Sequence, residues 1–265
     1  MSKQWPLSER MLVRGDVVRQ RKSVRAAHAP VRRLKFIYLA VAVSLLPAGA
    51  HASAGGHLAV ALHEEWQIAH AQYPTPGNPY LIVVDIRRQS LYLLVNGKRM
   101  ETWPVSTAQR GVGNEVGSDQ TPLGIFEIAG KFGAGLPEFA ILSSRGPTGG
   151  IAAPIFALDH PAASAVMTTR ILKLEGLQPG QNEGGQVDTL ARHIYIHGTA
   201  NLGMLGQPAS LGCVQLAPGA VIALFHRVPV GTLVLITSDA ATPEIPDDIK
   251  APAQVFAASK DATTD

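Results

Sequence analysis

The spacing of apolar residues changes along the chain, and each change predicts a structural element. In residues 57–72 the apolar positions recur every three or four residues, which predicts a short amphipathic helix. A proline-rich break at 74–79 predicts a domain edge after this helix. From Tyr80 onward, short apolar runs alternate with turn residues, which is typical of β-strands.

The second part of the chain reads as a series of short strands with few helices. The dipeptide Asn96-Gly97 indicates a tight hairpin turn. We predict two further helices, one at 161–174 from its apolar spacing and one at 218–225, where Pro218 takes the favoured first helical position. The predicted strands are 81–85, 91–95, 98–105, 123–129, 153–157, 193–197 and 232–236.

Composition supports a fold with many turns and assigns the positive charge to the N-terminus. The chain has 26 Gly and 19 Pro, which suit a β-rich fold better than a helical bundle. Residues 1–35 carry ten Lys or Arg and two acidic residues, whereas residues 53–265 carry 13 basic and 18 acidic ones. The body of the chain is therefore acidic, and we expect no nucleic-acid partner for it.

The N-terminus has the three parts of an export signal. A basic stretch ending at Lys35 precedes an apolar run at 36–46, and Ala50-His51-Ala52 provides a cleavage signal. The apolar run is about half of the roughly 20 residues that a spanning helix needs. We predict a signal peptide over 1–52, with an uncleaved N-terminal anchor or a start at Met11 as alternatives. In each case we expect export to the periplasm or cell envelope.

Cys213 is the only cysteine, so it cannot form a disulfide within the chain. It also lies far from the cleavage signal, which excludes a lipid anchor at this position. A free thiol in an exported protein is open to oxidation and calls for a functional reason. The alternative is a buried, inert cysteine that packs as a small apolar residue.

A histidine near this cysteine favours the functional interpretation. His197 precedes Cys213 by 16 residues, and the loop 200–209 contains two glycines and a proline that can turn the chain back. A neighbouring imidazole removes the thiol proton and so creates the nucleophile. Gly212, directly before the cysteine, lets backbone amides approach a developing oxyanion.

The residues around this pair resemble a known family. His197-Gly198-Thr199 followed by Ser210-Leu211-Gly212-Cys213-Val214 resembles the signature of the L,D-transpeptidase catalytic domain family. That signature is His-Gly-Thr, a loop, then Ser-x-Gly-Cys, a hydrophobic residue and Arg. Three more segments resemble the family in the same order, namely Pro104-Val105-Ser106-Thr107, Thr121-Pro122-Leu123-Gly124-Ile125-Phe126 and Val230-Gly231-Thr232-Leu233-Val234.

The resemblance implies a fold and a set of catalytic roles. The fold would be mainly β, a mixed β-sandwich of the L,D-transpeptidase type with a few short helices. Cys213 would be the acylated nucleophile and His197 its base. The carbonyl of Gly198 would orient the imidazole, and the amides of Gly212 and Cys213 would form the oxyanion hole.

The same resemblance suggests four substrate contacts and shows two departures. The candidate contacts are Tyr195, Thr199, Ser210 and Gln215, and the Ser210 hydroxyl has a structural role in its own loop as an alternative. Gln215 stands where the family usually has Arg, so a charge suited to carboxylates is missing there. Leu211 stands where many members have His or Lys.

The implied reaction is acyl transfer in peptidoglycan without a metal or organic cofactor. Cys213 would attack the amide before the terminal D-alanine of a tetrapeptide stem, and an amine of a second stem or of a wall-anchored protein would take the acyl group. The alternatives are a carboxypeptidase or hydrolase that uses water as acceptor, and a silent wall-binding module. The predicted parts are the leader 1–52, a helix and linker at 53–79, the catalytic domain at 80–237 and a flexible tail at 238–265.

Overall fold

Strands dominate the computed structural model, which describes residues 54–143, 146–158 and 166–238. The predicted leader and almost all of the predicted tail lie outside the described residues. None of the described helices has the length and apolar character needed to cross a membrane. The helices and strands are α1 (Ala54–Gln72), β1 (Tyr80–Asp85), β2 (Ser90–Val95), β3 (Lys98–Pro104), β4 (Gly124–Phe132), β5 (Ala140–Ser143), β6 (Gly146–Ile151), β7 (Met167–Gly176), β8 (Tyr195–Gly198), β9 (Val214–Leu216), α2 (Pro218–Arg227) and β10 (Leu233–Thr237), with short 3-10 helices at Gly185–Val187 and Leu202–Met204.

The strands form one mixed sheet, so the predicted mainly β class is confirmed. Eight strands follow the order β3-β2-β1-β10-β4-β7-β5-β6, and β8 pairs with β7 and carries β9 on its other side. The pairs β1–β10 and β8–β9 are parallel, and the other pairs are antiparallel. The hairpin predicted at Asn96-Gly97 connects β2 to β3.

Both faces of the central strands are covered. In β1, Ile82 belongs to one apolar cluster with Leu224 of α2, whereas Leu81 belongs to a second cluster with Leu62 of α1. Successive side chains of a strand point to opposite faces, so two covered faces require a continuous apolar run instead of alternation. Each fully buried leucine stabilises the fold by about 1.5–3 kcal/mol.

The pair β8–β9 folds back over the main sheet. Ile196 of β8 and Val214 of β9 are buried in the same cluster as Ile82 of β1. One face of this two-stranded ribbon therefore closes the core as the second layer of a sandwich. Its other face carries the polar side chains of the site, and these are buried as well.

Two predicted elements were wrong. Residues 167–174 belong to strand β7 and not to the predicted helix, because this strand is buried on both faces and so lacks the alternation that identifies a strand. Residues 153–157 form no strand, and only Ile155 makes an isolated bridge, to Asn201. The short strands β5, β6 and β9 were not predicted.

Candidate active site

The parallel pairing of β8 and β9 brings four predicted site residues onto one face. Ile196 pairs with Val214 and His197 with Gln215, and Cys213 directly precedes β9. Ile196 and Val214 point into the core. By alternation, the opposite face of the ribbon presents the odd-numbered neighbours Tyr195, His197, Cys213 and Gln215.

The imidazole of His197 is held in one tautomer. Its Nδ1 lies 2.9 Å from the carbonyl oxygen of Gly198, the contact that the family resemblance implies. A carbonyl can only accept, so Nδ1 carries the proton and Nε2 keeps a lone pair. A Cβ atom at Gly198 would lie 2.7 Å from the carbonyl oxygen of Thr168, so only glycine fits beside the ring.

The thiol of Cys213 lies in a small, partly buried site. Its Sγ donates a hydrogen bond to the carbonyl oxygen of His193 at 3.5 Å. Burial raises the pKa of Cys213 from 9.0 to about 11, although the backbone N–H of Tyr195 and the charge of Arg192 act in the opposite direction. The thiol is therefore protonated at neutral pH.

The imidazole of His197 is also neutral. Burial lowers the pKa of His197 from 6.5 to about 4, and the hydrogen bond to the Gly198 carbonyl opposes this shift. Burial disfavours the charged form of each group, so the thiol and the imidazole are both uncharged at pH 7.

The turn before Cys213 is closed by Ser210. The Ser210 hydroxyl donates to the Cys213 carbonyl at 2.6 Å and accepts the Gly212 N–H at 3.2 Å. Among the described residues, the N–H of Cys213 has no acceptor, so it is the free amide donor beside the sulfur. The turn thus places one unpaired backbone amide beside the sulfur.

Gly212 cannot carry a side chain without strain. Its φ is +123°, and a Cβ atom would lie 3.0 Å from Cδ1 of Ile194 and 3.2 Å from the Gln120 carbonyl oxygen. We expect Gly212→Ala to destabilise the domain by about 1–3 kcal/mol and to lower the acylation rate of Cys213 further by shifting its amide. Thermal unfolding measures the first effect, and the rate of carbapenem uptake by the thiol, followed by intact mass spectrometry, measures the second. Gly219→Ala, which has open space at the Cβ position, is the matched control. Equal behaviour of the two variants would contradict this role of Gly212.

A second segment, residues 105–121, lies against the turn Ser210–Cys213, which is called the nucleophile turn below because it contains the candidate nucleophile. Ser106 and Gln215 exchange two backbone hydrogen bonds of 3.0 and 2.9 Å. The Thr121 hydroxyl donates to the Gly212 carbonyl at 3.0 Å and accepts the Ala108 N–H at 2.9 Å. Two segments that resemble the family by sequence therefore contact the nucleophile turn directly.

The side chains predicted to contact substrate differ in whether they already make hydrogen bonds within the protein. The Thr199 hydroxyl is buried and accepts the N–H of Asn201, and the Tyr195 hydroxyl lies 3.1 Å from Nδ1 of His193. The Gln215 side chain is 4% exposed and makes no hydrogen bond with the residues that the structure describes. Of the four, Gln215 and Tyr195 lie on the same ribbon face as the nucleophile.

Two neighbours of the thiol were not predicted from the sequence. The carbonyl of His193 contacts the sulfur, and the charge of Arg192 acts on it. Both residues precede β8 in a polar turn, where no spacing or motif distinguishes them. As for metals, no group of three His, Cys, Asp or Glu side chains lies together in the described part of the chain.

The chain is similar in sequence and in structure to several known proteins. The protein YqjB of Bacillus subtilis (strain 168), whose name places it among L,D-transpeptidases, is 28% identical over 63% of this chain and 75% of its own. An L,D-transpeptidase structure from Mycobacterium smegmatis is 21% identical over 61% of this chain and 59% of its own, with a TM-score of 0.37. One from Xylanimonas cellulosilytica DSM 15894 is 19% identical over 64% and 68%, with a TM-score of 0.35.

The family model settles the assignment. It is the model of the L,D-transpeptidase catalytic domain, and it matches residues 79–236, which is more than half of the chain. This region contains both the His197-Gly198-Thr199 segment and the nucleophile turn. The chain therefore belongs to the L,D-transpeptidase catalytic domain family.

Proposed function

We propose that the protein is an exported L,D-transpeptidase that carries its acyl intermediate as a thioester on Cys213. The observation that carries this proposal is the tautomer of His197. Its Nδ1 is bound to the Gly198 carbonyl, which leaves the basic Nε2 for the ribbon face that also bears Cys213. Family membership supplies the substrate class, since L,D-transpeptidases act on peptidoglycan stem peptides.

In the first step, Sγ of Cys213 attacks the carbonyl carbon of the amide before the terminal D-alanine. The thiol proton moves to Nε2 of His197 as the S–C bond forms, because both groups are neutral beforehand. The carbonyl oxygen becomes an oxyanion and accepts the free N–H of Cys213. When the C–N bond breaks, Nε2 returns the proton to the departing D-alanine amine, and a thioester remains.

In the second step, an amine attacks the thioester. Nε2 of His197 takes a proton from the amine, the S–C bond breaks, and the sulfur leaves and is protonated again. The acceptor is the side-chain amine of a neighbouring stem, which gives a cross-link, or a lysine of a wall-anchored protein. The neutral imidazole is suited to both steps, because it accepts one proton and returns it in each.

Water is the competing acceptor. The same thioester would then release a shortened stem, and the enzyme would be an L,D-carboxypeptidase or hydrolase. The observation that favours this alternative is Gln215, which presents no positive charge on the site face where the family usually has Arg. A site without this charge holds a carboxylate-bearing acceptor less firmly.

The proposed location is outside the cytoplasm. It rests on the basic, apolar and small-residue order before Ser53 and on the location of peptidoglycan. A mature protein that begins near Ser53 by N-terminal sequencing supports a cleaved leader, whereas one that retains residues 11–35 supports an anchored form.

The proposed function is tested first by acylation and then by product analysis. The mature protein should gain the mass of one carbapenem per chain, because an activated thiol opens the strained β-lactam amide. Intact mass spectrometry measures this gain. Incubation with defined tetrapeptide donors and purified sacculi should then yield cross-linked stems and free D-alanine, measured by mass spectrometry of the digested sacculi.

The possible outcomes separate the alternatives. Release of D-alanine together with free shortened stems, with neither new cross-links nor stems attached to a protein lysine, would identify water as the acceptor and overturn the transferase. A protein that binds sacculi but takes up neither carbapenem nor donor acyl group would be a wall-binding module. Val230→Leu changes an exposed side chain outside the β8–β9 ribbon. This variant is the matched control, because it undergoes the same purification and should fold and react like the wild type.

A further inference from the structure

Arg192 links the start of β8 to a distant loop. Its guanidinium donates to the carbonyl oxygens of Gly113 at 3.1 Å and Gln120 at 2.6 Å, and to the Ser118 hydroxyl at 3.3 Å. The three acceptors lie more than 70 positions earlier in the chain. Five N–H groups in a rigid plane make arginine suited to such a multiple contact. The side chain therefore fixes the loop 113–120 at the edge of the site.

This loop bears directly on the nucleophile turn. The Gln120 carbonyl that accepts from Arg192 lies so close to Gly212 that a Cβ atom there would be 3.2 Å from the oxygen. The next residue, Thr121, donates to the Gly212 carbonyl. Movement of the loop would therefore move Gly212 and, with it, the amide of Cys213.

The same arginine lies beside the sulfur on its other side. The residue after Arg192 is His193, whose carbonyl accepts the hydrogen bond of the Cys213 thiol at 3.5 Å. Burial raises the pKa of Cys213 and lowers the pKa of Arg192, and the attraction between the guanidinium and a thiolate opposes both shifts. The charge of Arg192 therefore offsets part of the burial penalty on the thiolate.

The other charged and titratable groups nearby do not replace this charge. Asp119 and Glu115 are acidic and act on Arg192 itself, and Asp119 is paired with Arg110 at 3.1 Å. The phenol of Tyr195 has its pKa raised by burial and by Cys213, so it is neutral at pH 7. Among the groups that act on the pKa of the thiol, Arg192 is the one with a fixed positive charge.

We propose that Arg192 is a positioning residue of this active site that holds the nucleophile turn through Gln120 and supplies the positive charge beside Cys213. This inference rests on the proposed role of Cys213 as nucleophile. As the thiol proton leaves for His197, the fixed charge stabilises the developing negative charge on sulfur.

The test is the alkylation of Cys213 by iodoacetamide between pH 7 and 10. Below the thiol pKa, the rate follows the thiolate fraction, so the ratio of two rates at one pH gives the shift without a plateau. Removal of the charge in Arg192→Gln should raise the thiol pKa further and slow alkylation at pH 8, by on the order of threefold. Arg192→Lys keeps the charge without the planar fork and should retain most of the wild-type rate.

The control variant removes a charge that lies next to the same loop. Arg110→Gln removes an equal charge from an exposed position paired with Asp119, and its alkylation should match wild type. A folded Arg192→Gln variant with the wild-type rate, or an equal effect of the two glutamine variants, would overturn the proposal. Should Arg192→Gln fail to fold, Arg192→Lys decides: it lacks the planar fork that binds Gly113 and Gln120, so its melting temperature should fall below wild type, and an unchanged melting temperature would overturn the proposal.

Alkylation needs no substrate, so this result is independent of the proposed transferase activity. A wild-type protein that takes up no carbapenem would count against the proposed function. The alkylation ratio would still report whether Arg192 controls the thiol. Conversely, if the protein is a transferase but Arg192→Gln alkylates at the wild-type rate, the proposed function stands and the role of Arg192 is overturned.

Discussion

Cys213→Ala should abolish covalent turnover completely. The sulfur is the atom that holds the acyl group in the proposed reaction, and the chain has no second cysteine to replace it. The variant should gain no mass from a carbapenem or a tetrapeptide donor and should form no cross-links. Alanine fits the same space, so its melting temperature should reflect a loss of no more than about 1 kcal/mol.

Cys213→Ser separates shape from nucleophilicity. Serine keeps the size and the hydrogen bond to the His193 carbonyl, but its hydroxyl holds its proton far more firmly than a thiol does. Since the imidazole of His197 is already a weak base after burial, it cannot make up this difference. We expect activity near that of the alanine variant.

Leu211→Ala provides the matched control on the same turn. Leu211 is exposed and lies two residues before Cys213. The Leu211→Ala variant retains the nucleophile, so it should still be acylated. Full transferase or hydrolase activity in Cys213→Ala would show that the nucleophile lies elsewhere. That result would remove the thioester mechanism, although family membership would stand.

The motifs identified candidate residues for the site, but the face that these residues share could not be derived from the motifs alone. The motifs gave His197 and Cys213, and a loop that could bring them together. The structure adds that β8 and β9 are parallel and that His197 pairs with Gln215. Strand direction and register depend on partners distant in the chain, which a single sequence does not reveal.

The wrong helix at 161–174 has a related cause. Apolar spacing identifies a strand only when one face is solvated, and β7 is buried on both faces between β4, β5 and β8. Its β-branched residues Thr168, Thr169 and Ile171 were the better signal, because such side chains favour strands. Burial in the sheet therefore determined the structure of this segment, and the helical spacing of its apolar residues did not.

The role of Arg192 could not be predicted from the sequence for the same reason, because it depends on contacts between distant segments. Its acceptors are three groups of a loop that lies far away in sequence, and its effect on Cys213 passes through space and through Gln120. A motif records residues that neighbour the nucleophile in the chain. It cannot record a cation that reaches the nucleophile from another segment.

His197→Ala should slow acylation of Cys213 by about 100- to 10,000-fold at pH 7, because general-base assistance is worth that much. The rate of carbapenem uptake, followed by intact mass spectrometry, measures the loss. His226→Ala, an exposed histidine of α2, is the matched control and should acylate at the wild-type rate. A melting curve for each variant shows that the domain is folded.

The pH dependence distinguishes a lost base from a disturbed site. In the wild type, burial lowers the pKa of His197 to about 4, so the base is unprotonated above that pH and the rate should stay level from about pH 5 to 9 and fall near pH 4. Without the imidazole, the reacting species is the thiolate, and burial raises the pKa of Cys213 to about 11. The His197→Ala rate should therefore rise about tenfold per pH unit from pH 7 to 10, because each unit multiplies the thiolate fraction by ten. A His197→Ala variant that is slow but level across this range would show that the substitution distorted the nucleophile turn, and His197 would then not be the base.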